Sequence, residues 1–173
     1  GRAARAVRFR VRGGTLAFED RVRGRVEEDV SRAVGDFVVK RADGPFAYQL
    51  AVVVDDAAQG ITEVVRGGDF LDSTARQVAL QRALGAPTPA YAHLPLVLGP
   101  DGKKLGKRDG ALPLEMLDAR RVDETLRLAL RVLGQEPTAG TPEETLAAAA
   151  RAFAPERIPA GPVRVSPGGE VVT

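Results

Sequence analysis

Val7, Phe9 and Val11 alternate with Arg8, Arg10 and Arg12, a period of two that predicts a strand with one apolar and one arginine face. Gly13-Gly14 turns it. Arg21, Arg23 and Arg25 alternate with Val22, Gly24 and Val26 and predict a second arginine-faced strand. Phe37-Val38-Val39 reads as a short buried strand before a turn at Asp43-Gly44-Pro45. The period then lengthens. Residues 46–58 fit a helix with Phe46, Leu50, Val53 and Val54 on its core face; Tyr48, Val52, Asp55 and Gln59 share another face, and Gly60 ends it.

Ile61 to Val65 is a β-branched strand stopped by Arg66-Gly67-Gly68-Asp69. A helix follows over 72–84, with Asp72 or Ser73 as N-cap and Gly85 as its stop, and Leu94 to Leu98 gives another strand. This rhythm of helix, strand, helix, strand predicts an α/β fold with a parallel sheet. Ligands of such sheets bind beyond the carboxyl ends of the strands, where Arg66–Asp69 and the lysine-rich segment after Leu98 both fall. Residues 122–133 form an amphipathic helix closed by Gly134. Thr141-Pro142-Glu143-Glu144 opens another, running to Phe153, with a Thr cap, a first-turn proline and a Glu that completes a capping box. From Ile158 onward the prolines and glycines predict an irregular end.

Composition narrows the chemistry. The 173 residues, 44% hydrophobic and 28% charged, suit one soluble domain or parts of two. The absence of cysteine removes disulfides and thiolate chemistry, and with one histidine, His93, a zinc site built from imidazoles or thiolates of this chain is excluded. No apolar run approaches the roughly 20 residues that span a bilayer, and no signal-peptide pattern opens the chain, so the expectation is a cytoplasmic protein without membrane contact. Net charge is only +2, but residues 1–25 hold eight arginines against Glu19 and Asp20. That surplus suits either an RNA phosphate backbone or a sheet face kept soluble by charge.

Three of the four lysines, Lys103, Lys104 and Lys107, fall within five residues, whereas arginine supplies the positive charge almost everywhere else. A compact ammonium on a flexible stem follows a charge that moves during reaction, while a guanidinium fork suits static pairing. The segment therefore reads as a mobile clamp on transferring phosphates or as a solvated basic turn, and its place after a strand favours the clamp. It is not a P-loop: one residue too few separates Gly102 from Gly106, and Arg108 stands where a Ser or Thr would hold magnesium. Asp55 and Asp56, adjacent on a helix, point about 100° apart and form no shared dyad. His93, before a buried strand, reads as a structural histidine rather than a base. Arg66, at a strand end before two glycines, suits a carboxylate, and Tyr48 offers a hydroxyl on a non-core helix face; together they suit an amino acid.

The runs Asp36–Asp56 and Gln59–Asp69, the segment Tyr91–Leu96 and the loop Lys104-Leu105-Gly106-Lys107-Arg108, in this order and spacing, closely resemble the bacterial glutamyl-tRNA synthetases. The loop is similar to the second signature of class I synthetases, with Gly106 in place of its serine. The resemblance covers residues 5–135 and implies the second half of a class I nucleotide-binding, Rossmann-type parallel sheet, followed by short C-terminal helices. It divides the chain into the end of an acceptor-binding insert (1–34), the second half of the catalytic α/β domain (35–100), and the signature loop with C-terminal helices and an irregular tail (101–173).

Only 65 residues follow Arg108, which resembles the short branch that transfers glutamate to the queuosine base of tRNA(Asp) rather than the full synthetases with their helical anticodon-binding region. The implied partners are glutamate, ATP with magnesium, and tRNA(Asp), the protein acting as a monomer. Tyr48 and Arg66 would bind glutamate; Lys104 and Lys107 would act on the ATP phosphates, with Lys107 the principal nucleotide contact. The family's first signature has no counterpart here, so the chain is expected to be a C-terminal portion that adenylates glutamate poorly alone, any zinc lying in the other portion. The alternatives are a truncated glutamyl-tRNA synthetase that charges tRNA(Glu) and a noncatalytic basic RNA-binding module.

Overall fold

The computed structural model describes residues 5–105, 118–166, 168 and 170–172. They form two compact units, Gly1–His93 and Leu94–Thr173. In the first unit, β1 (Val7–Phe9) pairs antiparallel with β4 (Phe37–Lys40), setting Phe9 opposite Phe37 with ring centroids 5.4 Å apart. The main sheet has four strands in the order β3-β2-β6-β5: β2 is Thr15–Asp20, β3 Gly24–Asp29, β5 Glu63–Gly67 and β6 Ala90–Leu94. β2 runs antiparallel to β3 and parallel to β6. A one-turn helix, α1 (Val30–Ala33), capped by Asp29, follows β3.

β2 was not expected, and the predicted second arginine strand is displaced. Arg21-Val22-Arg23 is the β2–β3 turn, because the Asp20 carboxylate accepts the Val22 and Arg23 amides at 3.0 and 2.8 Å and Gly24 takes φ +73°. Arg25 alone of the three lies on β3.

Helix α2 (Tyr48–Gln59) starts two residues later than its period predicts. Phe46 is instead bridged to Lys40, 63% exposed, with the Lys40 ammonium 5.4 Å from its ring centre. Val54 is exposed too; the buried face is Val53 with Val52, packed on Phe37 and Leu80. Gly60, in the left-handed region, ends the helix as predicted, and the Ile61 amide still bonds the Asp56 carbonyl, which delays β5 to Glu63.

Helix α3 (Leu71–Leu84) grows out of a 3-10 turn at Gly68–Phe70, so Asp72 and Ser73 sit inside it rather than capping it. It covers the sheet through Ala75 and Val78, which meet Leu16, Phe18, Val30 and Tyr91 in the main core. The predicted strand 94–98 divides at Pro95, which has no N–H to give, into β6 and the two-residue β7 (Val97–Leu98).

The second unit holds α4 (Ala119–Val132), capped by Asp118, and α5 (Pro142–Arg151), whose Thr141/Glu144 capping box is formed as predicted. Arg127 on α4 donates to the Thr138 and Gly140 carbonyls and pins the connection between them. The predicted irregular end is instead a small sheet. β8 (Val163–Val165) runs parallel to β7, and β9 (Val171–Val172) antiparallel to β8. Val163 and Val165 alternate with Arg164 and bury against Val132, a period of two set among prolines that flank the strand without interrupting it. Gly134 has φ +69°, and a side chain there would collide with the Arg157 carbonyl. Val165→Ala is expected to cost about 2 kcal/mol and Gly134→Ala at least as much. Urea unfolding measures both; an unchanged midpoint for Val165→Ala would mean that the tail does not pack.

A candidate amino-acid site at the strand ends

Asp20 ends β2, Arg66 is one residue from the end of β5, and His93 is one residue from the end of β6, the strand between them. Their side chains join across the sheet. Asp20 Oδ2 lies 2.6 Å from His93 Nδ1 and also accepts the His93 amide at 3.1 Å. On the ring's other side, Arg66 Nε donates to His93 Nε2 at 3.1 Å. The Arg66 Nη2 group donates to Thr74 Oγ1 (2.7 Å) and Gln77 Oε1 (2.8 Å) on α3. Gln77 donates to Gln49 on α2, which donates to Ser73. The guanidinium carbon lies 5.5 Å from the Phe70 ring centre and 5.4 Å from that of Tyr91. The Nη1 group makes no hydrogen bond to a described residue.

Burial acts on each ionisable group. It lowers the Arg66 pKa, with Tyr91, Tyr48, Asp56 and Asp20 opposing, and a guanidinium retains its charge regardless. Burial also pushes Asp20 up, but hydrogen bonds from His93 and from the Arg23, Val22 and His93 amides outweigh it and hold the carboxyl below its ordinary value. His93, fully buried, is pushed below its ordinary value by desolvation, reinforced by Arg66 and Arg23 and opposed by Asp20. Burial thus favours the neutral form of the ring.

The fold brings two of the predicted site residues together. Tyr48, at the first turn of α2, is 57% exposed, and its ring centre is 6.4 Å from that of Phe70, the ring Arg66 lies over. Lys104 belongs to the second unit. There residues 97–105 form a tight hairpin rather than an open loop, with Lys104 bridged to Leu98 and exposed. Lys103 pairs with Asp101 at 3.6 Å. Lys107 and Gly106 lie outside the described residues. Among the described residues no group of three or more His, Asp or Glu is placed to hold a metal, and no helix is long and apolar enough to cross a membrane. Sequence reasoning missed Asp20, Thr74, Gln77 and Gln49. A signal existed in α3, where polar Thr74, Gln77 and Gln81 repeat at helical spacing on a face that is buried.

Arg8, Arg10, Arg12 and Arg82 line a groove of about 680 Å³ together with Val11 and Leu16, and no described lining residue carries a carboxylate. Arg21 and Arg25, from the other predicted arginine face, are instead paired to Glu63 and Glu27.

Residues 2–143 match the family model for the catalytic domain of class I tRNA synthetases (E and Q). The chain belongs to this family. Curated relatives include a glutamyl-Q tRNA(Asp) synthetase from Leptothrix cholodnii, 58% identical over 154 residues, and one from Xanthomonas campestris pv. campestris, 53% identical over 160. The alignments take in 86% and 90% of this chain but 50% and 53% of those proteins, so the chain spans about half their length. The crystal structure of a glutamate-tRNA synthetase from Elizabethkingia anophelis superposes with a TM-score of 0.73 at 25% identity, over 95% of this chain and 37% of that one. The expected α/β synthetase fold is thus established for this member.

Two proton linkages follow for this synthetase-family domain. Because the folded pKa of His93 lies below the ordinary 6.5, the unfolded chain takes up that proton first as pH falls, and stability drops below pH 6.5. Asp20, held below 3.8, adds a second loss below that pH. Unfolding midpoints recorded from pH 8 to 5 should stay level and then decline, by at most about 1.4 kcal/mol per pH unit for the His93 proton. His93→Asn should remove the first decline; its persistence in that variant would assign it to another group.

Proposed function

We propose that the protein to which this chain belongs activates glutamate with ATP and transfers it to the queuosine base of tRNA(Asp), acting as a cytoplasmic monomer. The observation that carries this reading is the 48–58% identity to relatives named glutamyl-Q tRNA(Asp) synthetase across most of the chain. The site chemistry supports it. The Nη1 edge of a half-buried guanidinium, which bonds no described residue, suits the carboxylate of an amino acid, and the Tyr48 hydroxyl would supply a second polar contact.

A glutamate carboxylate oxygen attacks the α-phosphorus of ATP in line as the bond to pyrophosphate breaks. The activated acyl group then passes to the modified base, releasing AMP. The protein's part is positioning and electrostatics: Arg66 and Tyr48 hold the amino acid, while Lys104 and Lys107 meet the charge that gathers on the departing pyrophosphate. Lys104 is an exposed residue of the hairpin whose positive charge would match phosphate, and magnesium bound with the nucleotide would neutralise further charge. Residues 1–34 would complete an acceptor-binding insert, 35–100 the catalytic sheet, and 101–173 the signature loop and C-terminal elements. The arginine groove suits RNA phosphates.

Glutamate-dependent ATP–pyrophosphate exchange by the full-length protein tests this. Exchange without tRNA, followed by labelling of queuosine-containing tRNA(Asp), is the expected result; exchange only with tRNA, and charging of tRNA(Glu), would replace it with the glutamyl-tRNA synthetase alternative. Arg66→Ala should raise the glutamate KM about 100-fold and Tyr48→Phe about 5-fold. Arg10→Gln and Arg12→Gln should each lower the salt slope of tRNA binding by about one; an unchanged slope would leave those arginines without an RNA role.

A further inference from the structure

We infer that His93, clamped by Asp20, is a positioning residue that sets the orientation in which Arg66 meets its ligand. The inference rests on the reading of Arg66 as a carboxylate-binding residue. A guanidinium has five N–H bonds in one plane, so fixing two of its nitrogens fixes the direction of the third. Arg66 Nε is fixed by His93 Nε2, and Nη2 by Thr74 and Gln77. The Nη1 edge follows from those two anchors.

The Nε anchor works only if His93 Nε2 carries a lone pair, which requires the proton on Nδ1. Asp20 Oδ2, 2.6 Å from Nδ1, imposes that tautomer. Asp20 is itself immobilised by the Val22, Arg23 and His93 amides. The Thr74 hydroxyl, 3.0 Å from His93 Nε2, has one proton to give, and the Phe70 carbonyl 3.2 Å away can take it, leaving the ring nitrogen to Arg66. Orientation thus passes from a backbone turn, through a carboxylate and a ring, to a cation. A purely apolar core would hold the strands together without choosing the plane of the guanidinium. Every group facing the ring (Asp20, Arg23, Arg66, Thr74 and Tyr91) favours a neutral, Nδ1-protonated ring or is indifferent to it, apart from the pull of Asp20 toward the charged form.

The test uses full-length protein and two near-isosteric variants. His93→Asn keeps an N–H for Asp20 near the Nδ1 position but has no acceptor for Arg66; His93→Gln restores an acceptor near the Nε2 position. Expected are a glutamate KM raised at least 10-fold in His93→Asn, with the ATP KM little changed, and recovery to within about 3-fold of the parent in His93→Gln. A glutamate KM unchanged in His93→Asn, or kcat and melting temperature falling together in both variants with no selective effect on glutamate, would make His93 structural only. Nitrogen-15 NMR of the unsubstituted protein gives a readout independent of variant folding: the ring signals lost in His93→Asn should report the Nδ1–H tautomer, and an Nε2–H tautomer would overturn the inference. Arg66→Lys separates the two readings. If it leaves the glutamate KM unchanged, Arg66 does not bind the amino acid and this inference falls with that reading; if it raises KM while His93→Asn does not, only the positioning role fails.

Discussion

The side-chain tie from Asp20 through His93 to Arg66 links three strands of the first unit at the place where its parallel backbone ladder is shortest. β2 and β6 meet in parallel over a single aligned pair, Asp20 with Tyr91, backed by one amide bond from Arg21 to the Tyr91 carbonyl. So short a ladder does not fix register by itself. Asp20 supplies what is missing: its carboxylate collects the hairpin turn on one side and the amide and ring of His93 on the other. A slip of one residue would turn the ring to the opposite face and leave a buried carboxylate without partners. Site geometry and sheet register are therefore one constraint.

This arrangement also accounts for the composition of α3. A helix lying on a sheet would ordinarily bury aliphatic side chains, yet Thr74 and Gln77 occupy buried positions above the strand ends while Ala75 and Val78 fill the core beside them. The polar pair receives the Nη2 protons of Arg66, and Gln77 hands the chain on to Gln49 of α2. Replacing them with apolar residues would leave a cation facing hydrocarbon. Two helices and three strands thereby share one hydrogen-bonded system, sealed below by Tyr91 and flanked by Phe70.

Much of this was legible in the sequence, for identifiable reasons. The elements with strong local chemistry were readable: Gly60 and Gly85 as left-handed helix stops, and the Thr141 box. Arg66 and Tyr48 were legible as candidate residues because strand-end arginines and amphipathic helix faces are local patterns. Asp20 was not. It continues the buried alternation of Leu16 and Phe18 with a carboxylate, and local pattern reads a charged residue there as exposed; its buried partners are the Val22 and Arg23 amides of the turn and His93, 73 positions away. β8 was hidden likewise, because prolines announce a loop while the partner that makes Val163 and Val165 a strand lies in β7. Phe46 and Val54 show the converse, apolar side chains that the helical period turns inward and the structure leaves in solvent.

The parallel pairing of β7 with β8 has a consequence for how the lysine hairpin comes into being. Leu96 and Val97 take their partners from Val163, some 65 residues later in the chain. During synthesis the hairpin therefore leaves the ribosome long before the strand that braces it. Its turn closes by local bonds between Gly99, Gly102 and Lys103, but the edge of β7 stays open until α4, α5 and the segment after them have been made. Pairings of such long sequence separation form late and slowly. The base of the basic hairpin is thus secured later than its turn, once the segment through Val165 has been made.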